Sequence, residues 1–210
     1  MTFAPTWRQG WTDPVTNGTT ELRLKWDQRH GQAESPGQPA RVLAENRHLL
    51  PAAGEALDLA CGLGANALLL AEAGLQVTAW DLSPVAVQRL SELARERGLT
   101  GLRAEVRDLL AAPPMASSFD VIVCSHFLER ALMPALATAL RPCGVLFYQT
   151  FSQTRITGVG PSNPAFRLAD NELLRLLPQL RLRFYREEAS LGDLGVGCRD
   201  LAMLVGERPR

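Results

Sequence analysis

The 210-residue sequence has a single lysine, Lys25, and sets 22 basic against 22 acidic side chains, so it carries no net charge at neutral pH. Balanced charge supplies no overall field to draw the chain to a polyanion, so neither nucleic acid nor an anionic membrane surface is an expected partner. Cysteine is sparse and scattered. Cys61, Cys124, Cys143 and Cys198 form no C-x-x-C pair and no Cys/His cluster, which predicts no metal site and fits a reduced, cytoplasmic protein. No apolar stretch reaches the roughly 20 residues that span a bilayer. The opening Thr2-Phe3-Ala4-Pro5 lacks the basic and apolar regions of a signal peptide. A nucleophile triad and a P-loop lysine are missing as well. The length suits one well-buried α/β domain with a short appendage.

Organisation changes near residue 38. The first 40 residues hold three of the four tryptophans (Trp7, Trp11, Trp26), many Gly, Pro and Thr, and no sustained periodicity. Residues 1–37 are therefore expected to be an appendage or lid, with 35–39 as a linker, and 38–210 the main domain. A helix over 40–50 should stop at Pro51. Beyond it, short apolar runs at 56–60, 77–80, 102–106, 119–124 and 145–149 predict strands. Helices are expected over 65–73, from Ser83-Pro84 to Gly98, and over 132–140, with Ser83 as N-cap and Pro84 at the first helical position. Asp170 is placed to cap a short helix ending at Leu177, and runs at 180–186 and 200–205 close the chain. Continuous apolar strands alternating with helices predict a doubly wound α/β fold with a parallel sheet covered on both faces.

In such sheets ligands sit beyond the carboxyl ends of the strands. The polar residues at those ends are Asp58 with the loop Cys61-Gly62-Leu63-Gly64, then Asp81, Asp108, Ser125 with His126, and Thr150. Gly62 and Gly64 allow a sharp turn and close backbone approach to a ligand, and feed a helix whose N–H groups face the site. Asp81 follows Gly62 by 19 residues (81 − 62), the spacing at which a second-strand carboxylate meets ribose hydroxyls. Gly62-x-Gly64-x-x-Ala67 also satisfies the dinucleotide fingerprint, so glycine spacing alone leaves a nicotinamide cofactor open. Asp58 discriminates: beside a pyrophosphate it is a repulsive charge, whereas a sulfonium or ammonium welcomes it. Asp108 is placed to accept from an adenine amino group. The Gly-rich stretch 191–197 suggests a terminal hairpin in place of another βα unit.

The segment LDLACGLGANALLLAEAGLQVTAWDLS, followed by VRDLL, FDVIVCSHFL and LRPCGVLFYQTF, resembles the ordered motifs of class I S-adenosylmethionine-dependent methyltransferases. Asn66, Ala79-Trp80-Asp81, Pro164-Ala165-Phe166 before Glu172-Leu173, and Ala202-Met203-Leu204 are similar to the tellurite-resistance methyltransferase group. The resemblance implies a Rossmann-like, mostly parallel seven-stranded sheet with helices on both faces and an antiparallel C-terminal strand. It also implies S-adenosylmethionine as cofactor and a cofactor-binding set of Asp58, Ala60, Cys61, Gly62, Gly64, Asn66, Asp81, Leu82, Ser83, Asp108, Leu109 and Ser125. Within it, Asp58, Gly62 and Gly64 would hold the methionine portion and Asp81 the ribose. Leu82 would pack on adenine, Asp108 and Leu109 would bind its edge, and Ser125 would sit near the methyl donor.

Ala60 stands where the usual D-x-G-x-G-x-G pattern has its first glycine, and Ala65 where the tellurite-resistance group usually has Arg, which leaves the acceptor open. His126 and Tyr148 are the candidate catalytic residues. Trp26, Arg29, Thr150, Arg155 and Phe166 are candidates for the substrate site or lid, with Asn163 and Arg167 beside them. Ser125-His126-Phe127-Leu128 stands where amino-methylating DNA and protein enzymes usually carry N/D-P-P-Y/F/W. The expected activity is therefore direct, in-line methyl transfer to a small molecule by a monomer or weak dimer. A nicotinamide-dependent oxidoreductase and a non-catalytic cofactor-binding module are the competing readings.

Overall fold

Seven strands form one sheet in the computed structural model, which describes residues 18–210. They are β1 (Glu55–Leu59), β2 (Gln76–Asp81), β3 (Leu102–Val106), β4 (Phe119–Ser125), β5 (Leu140–Phe151), β6 (Arg181–Glu187) and β7 (Leu201–Glu207). The spatial order is β3-β2-β1-β4-β5-β7-β6. The first five run parallel, and β7 lies antiparallel between β5 and β6. The strand order reverses between β1 and β4, and such a reversal opens a crevice at the carboxyl ends. The expected doubly wound sheet and terminal hairpin are both present.

Strand periodicity divides the interior in two. Leu57, Leu59, Trp80, Ile122, Cys124, Leu146 and Tyr148 point to one face, beneath α5 (Met133–Ala139) and α6 (Glu172–Leu176). Ala56, Val77, Ala79, Val121, Val123, Phe147 and Met203 point to the other, beneath α2 (Arg41–Glu45), α3 (Ala65–Glu72) and α4 (Pro84–Glu96). Asp58 shares the parity of Ala56, so its carboxylate lies on the α2–α3–α4 side.

The helix starts follow local chemistry. Ser83 accepts from Ala86 N–H at 3.2 Å and Pro84 takes the first helical position, as expected. Gly64 turns β1 into α3 at φ 82°, a conformation that strains other residues, and a Cβ there would come 2.3 Å from Leu90 Cδ1 and have to displace that side chain.

Several boundaries differ from the sequence reading. The 40–50 helix is split into α2 and a 3₁₀ turn at Arg47–Leu49. β5 begins at Leu140 rather than 145, because Leu140 already pairs with Phe119 before an irregularity at Pro142–Gly144, where Cys143 turns left-handed, and regular pairing resumes at Val145. Asn171 in a left-handed conformation, not Asp170, precedes α6. The largest omission is α1 (Thr19–Gln32), in a region without periodicity. Its residues are all exposed or half-buried, so no apolar stripe marks it.

Candidate active site

Three carboxylates stand at the carboxyl ends of three neighbouring strands: Asp58 on β1, Asp81 on β2, and Asp108 just past β3. Asp81 Oδ2 accepts from Gly62 N–H at 2.8 Å and Oδ1 from Ser83 N–H at 2.9 Å, joining the glycine loop to the start of α4. Asp58 Oδ2 accepts from Ala67 N–H at 3.0 Å, and Oδ1 from Asn66 Nδ2 at 3.4 Å. Asp108 Oδ1 accepts from the Leu110 and Ala111 N–H groups at 3.0 and 3.3 Å, shaping the turn after β3.

Asn66 is the hub of the β1–β4 crevice. Its Nδ2 also donates to Ser125 Oγ at 3.0 Å, and its Oδ1 accepts from Ala40 N–H at 2.8 Å. Asp58, Asn66 and Ser125 thus form one connected group across the point where the strand order reverses. Burial pushes the Asp58 carboxyl up to about 7, against the hydrogen bonds from Asn66 and Ala67 that lower it. Such a carboxylate is poised to accept a cation.

Two residues in the left-handed region flank this group. Ala60 (φ 54°) follows β1 and His126 (φ 56°) follows β4. Non-glycine residues there are strained and cluster at functional sites. His126 donates its N–H to the Gln149 carbonyl at 2.8 Å, and its Nε2 lies 3.2 Å from Gln149 Nε2. Its ring packs 5.1 Å from Phe151. Burial, and secondarily the charge of Arg29, hold its pKa down to about 4, so the ring is neutral at physiological pH.

The exposed edge of the crevice is covered by α1. Thr19 Oγ1 donates to Asp108 Oδ2 at 3.5 Å, and Asp27 Oδ1 accepts from Ser83 Oγ at 2.5 Å. The ring of His30 stands over Gly62, where a Cβ would lie 3.2 Å from His30 Cε1. Trp26 stacks on His30 at 5.6 Å, with the Arg29 guanidinium 5.5 Å from the Trp26 ring. Trp26 and Arg29 therefore lie against the cofactor end of the sheet. Trp7 and Trp11 fall outside the described residues.

Other candidates sit elsewhere. Tyr148 is fully buried on the α5–α6 side, one residue out of phase with the crevice, and donates its hydroxyl to the Phe127 carbonyl at 2.6 Å. Burial raises its pKa well above the usual phenol value, so the hydroxyl keeps the proton that it shares with the Phe127 carbonyl. Thr150 is buried with the same parity. Arg155 is exposed and donates to the Gly158 carbonyl, and Phe166 is exposed on a 3₁₀ turn that Asn163 caps. Arg167, named beside the substrate-site candidates, is buried and donates to the Pro161, Ser152 and Val159 carbonyls. Asp200 holds the same loop by accepting from the N–H groups of Ile156 and Thr157. Arg199 likewise binds the carbonyls of Val196, Ala189, Leu191 and Asp193.

Gln149 and Asp27 were missed. Gln149 is buried, accepts from Val42 N–H at 3.0 Å through Oε1, and meets His126 through Nε2. A polar residue at the end of an apolar strand, neighbour to the chosen Tyr148, was the available signal. Asp27 lies in the stretch without periodicity, and only α1 shows its reach.

These residues fit a cationic adenosine-containing ligand. The crevice offers carboxylate acceptors on three neighbouring strands, a desolvated carboxyl at Asp58, and a glycine loop beneath the His30 ring. A methyltransferase-domain family profile matches residues 56–144, the span from β1 into β5. The chain is 32% identical over 181 residues to the ubiquinone biosynthesis O-methyltransferase of Azotobacter vinelandii, covering 80% of this chain and 72% of that protein. It belongs to the class I S-adenosylmethionine-dependent methyltransferases. The ubiquinone biosynthesis O-methyltransferase of Xanthomonas axonopodis pv. citri is 35% identical over 149 residues, 67% of this chain and 59% of that one. TehB from Haemophilus influenzae superposes with a TM-score of 0.66 at 21% identity, covering 88% of this chain and 67% of its own. The chain spans 59% to 65% of the length of the first curated relatives it matches.

Proposed function

We propose that this chain transfers the methyl group of S-adenosylmethionine to a small molecule by in-line displacement. The observation that carries the reading is the row of carboxylates, Asp58, Asp81 and Asp108, set around one glycine loop at the strand-order reversal. When bound, the cofactor would supply an electrophilic methyl on a cationic sulfur. Asp58 with the Gly62–Gly64 backbone would hold its methionine portion. Asp81 would take the ribose hydroxyls, Leu82 would pack on the adenine, and Asp108 and Leu109 would take its edge. Ser125 and His126 would face the methyl and its acceptor. Positioning and exclusion of water by α1 are the protein's contribution, and no covalent intermediate is required.

The matched curated relatives are named O-methyltransferases, which makes a hydroxyl the first acceptor to test. Calorimetric titration with S-adenosylhomocysteine and with NAD, followed by methyl-transfer assays on phenols, thiols, amines and chalcogen oxyanions, tests the proposal. S-adenosylhomocysteine binding with turnover on one class is expected. Tight NAD binding without S-adenosylhomocysteine binding would favour the oxidoreductase reading, and binding without turnover the non-catalytic module.

A further inference from the structure

His126 follows Ser125 at the carboxyl end of β4, and its hydrogen bonds specify where its proton sits. Gln149 reaches it from β5, and the amide of Gln149 is itself oriented. Its Oε1 must be the atom facing Val42 N–H, 3.0 Å away, because a backbone N–H can only donate. The other end, the NH₂ group, therefore faces the ring and donates to His126 Nε2 across 3.2 Å. Nε2 is thus the acceptor, and the proton of the neutral imidazole rests on Nδ1.

We propose that Gln149 is a positioning residue that locks His126 as the neutral Nδ1–H imidazole and so keeps the ring from serving as general base through Nε2. The role rests on the methyltransferase reading, whereas the proton's position rests on geometry alone. The main chain reinforces the lock: His126 N–H donates to the Gln149 carbonyl at 2.8 Å, so backbone and side chain hold the same pair. The left-handed backbone of His126 at φ 56° sets the ring in that place. Arg29 from α1 is the charged group that bears on the ring among the described residues, and it disfavours a second proton. Asp58 on β1 spends its carboxylate on Asn66 and Ala67, and Phe151 on β5 is neutral.

A ring held this way has its Nε2 lone pair occupied. For it to take a proton at that atom, the Gln149 amide would have to let go and remain buried without a partner. An acceptor that reacts here is therefore already nucleophilic when it binds, or gives its proton to a group other than His126.

Long-range ¹H–¹⁵N NMR of the full, unmodified chain at neutral pH reads the tautomer directly. A protonated Nδ1 with a bare Nε2 at His126 is expected, and a protonated Nε2 or an imidazolium overturns the proposal. Gln149→Glu keeps an acceptor for Val42 N–H but offers Nε2 a carboxylate, so it should move the proton to Nε2 and raise the pH at which the ring titrates. An unchanged His126 signature in a folded Gln149→Glu chain also overturns it. His126→Asn removes the basic ring nitrogen, since Asn tolerates the left-handed backbone but takes up no proton. A loss of kcat/KM within about tenfold agrees with a ring that is not the base, whereas a base would cost about 10²–10⁴-fold and flatten the pH profile. If the unmodified chain neither binds S-adenosylhomocysteine nor methylates any acceptor, the function fails, and the NMR still decides the proton's place.

Discussion

Ala60 and His126 share an uncommon backbone state at the ends of adjacent strands, but for different reasons. His126 carries polar atoms that bind Gln149, while Ala60 bears only a methyl group and pays the steric cost with no bond in return. Ala60→Gly is therefore expected to raise stability by about 0.5–1 kcal/mol, the left-handed strain relieved minus the flexibility added to the unfolded chain. A urea midpoint shift reads this change. At Asp58 the sign runs against the usual carboxylate. Between its ordinary 3.8 and about 7, the folded chain keeps a proton that the unfolded chain has released, so this group's effect is to lower stability as pH rises through that window. Binding a cationic ammonium reverses the preference. Affinity for S-adenosylhomocysteine should increase with pH, by up to about tenfold per unit below the Asp58 pKa, and level off above it. Calorimetry from about pH 5 to about pH 8 measures that slope, and Asp58→Asn should abolish it.

The loop between β5 and α6 holds its shape through Arg167, a buried cation whose three backbone acceptors replace water. Arg167→Met keeps the bulk but removes every donor, leaving the Pro161, Ser152 and Val159 carbonyls without theirs. A loss of about 3 kcal/mol or more is expected, read as a drop in melting temperature with the loop becoming open to protease. Strands and caps were legible because their chemistry is local: Ser83-Pro84 starts α4 by its own side chain and ring. The carboxylate row was legible because each member ends an apolar run. Tyr148 and Gln149 could not be told apart without the sheet, since adjacent strand residues face opposite sides and either one could have faced the crevice. Arg167 was equally opaque, because carbonyl partners leave no mark in a sequence. The exact ends of β5 were hidden because a Pro-x-Gly segment reads as a turn even where the strand continues.

Across the whole molecule, α1 is joined to the main domain chiefly along α4 and at the turn after β3, through Thr19, Asp27 and the His30 carbonyl, which accepts from Arg89. No residue of α1 is fully buried. Removing residues 1–37 should therefore leave the main domain folded, with the same circular dichroism and a melting temperature lowered by only a few degrees. Affinity for S-adenosylhomocysteine should fall by about tenfold or more, and calorimetry on the shortened chain checks it. Loss of the fold itself would show that α1 belongs to the domain and does not merely cover it. The sheet is thus the rigid part, and its loops are fastened by Arg167, Asp200 and Arg199 chiefly to backbone atoms. Backbone atoms are the same in every residue. Most side chains of residues 153–166 and 189–197 can consequently be exchanged while the loop outlines persist, with Thr157, Asn163 and Asp193 the exceptions because their own side chains bind within the loops.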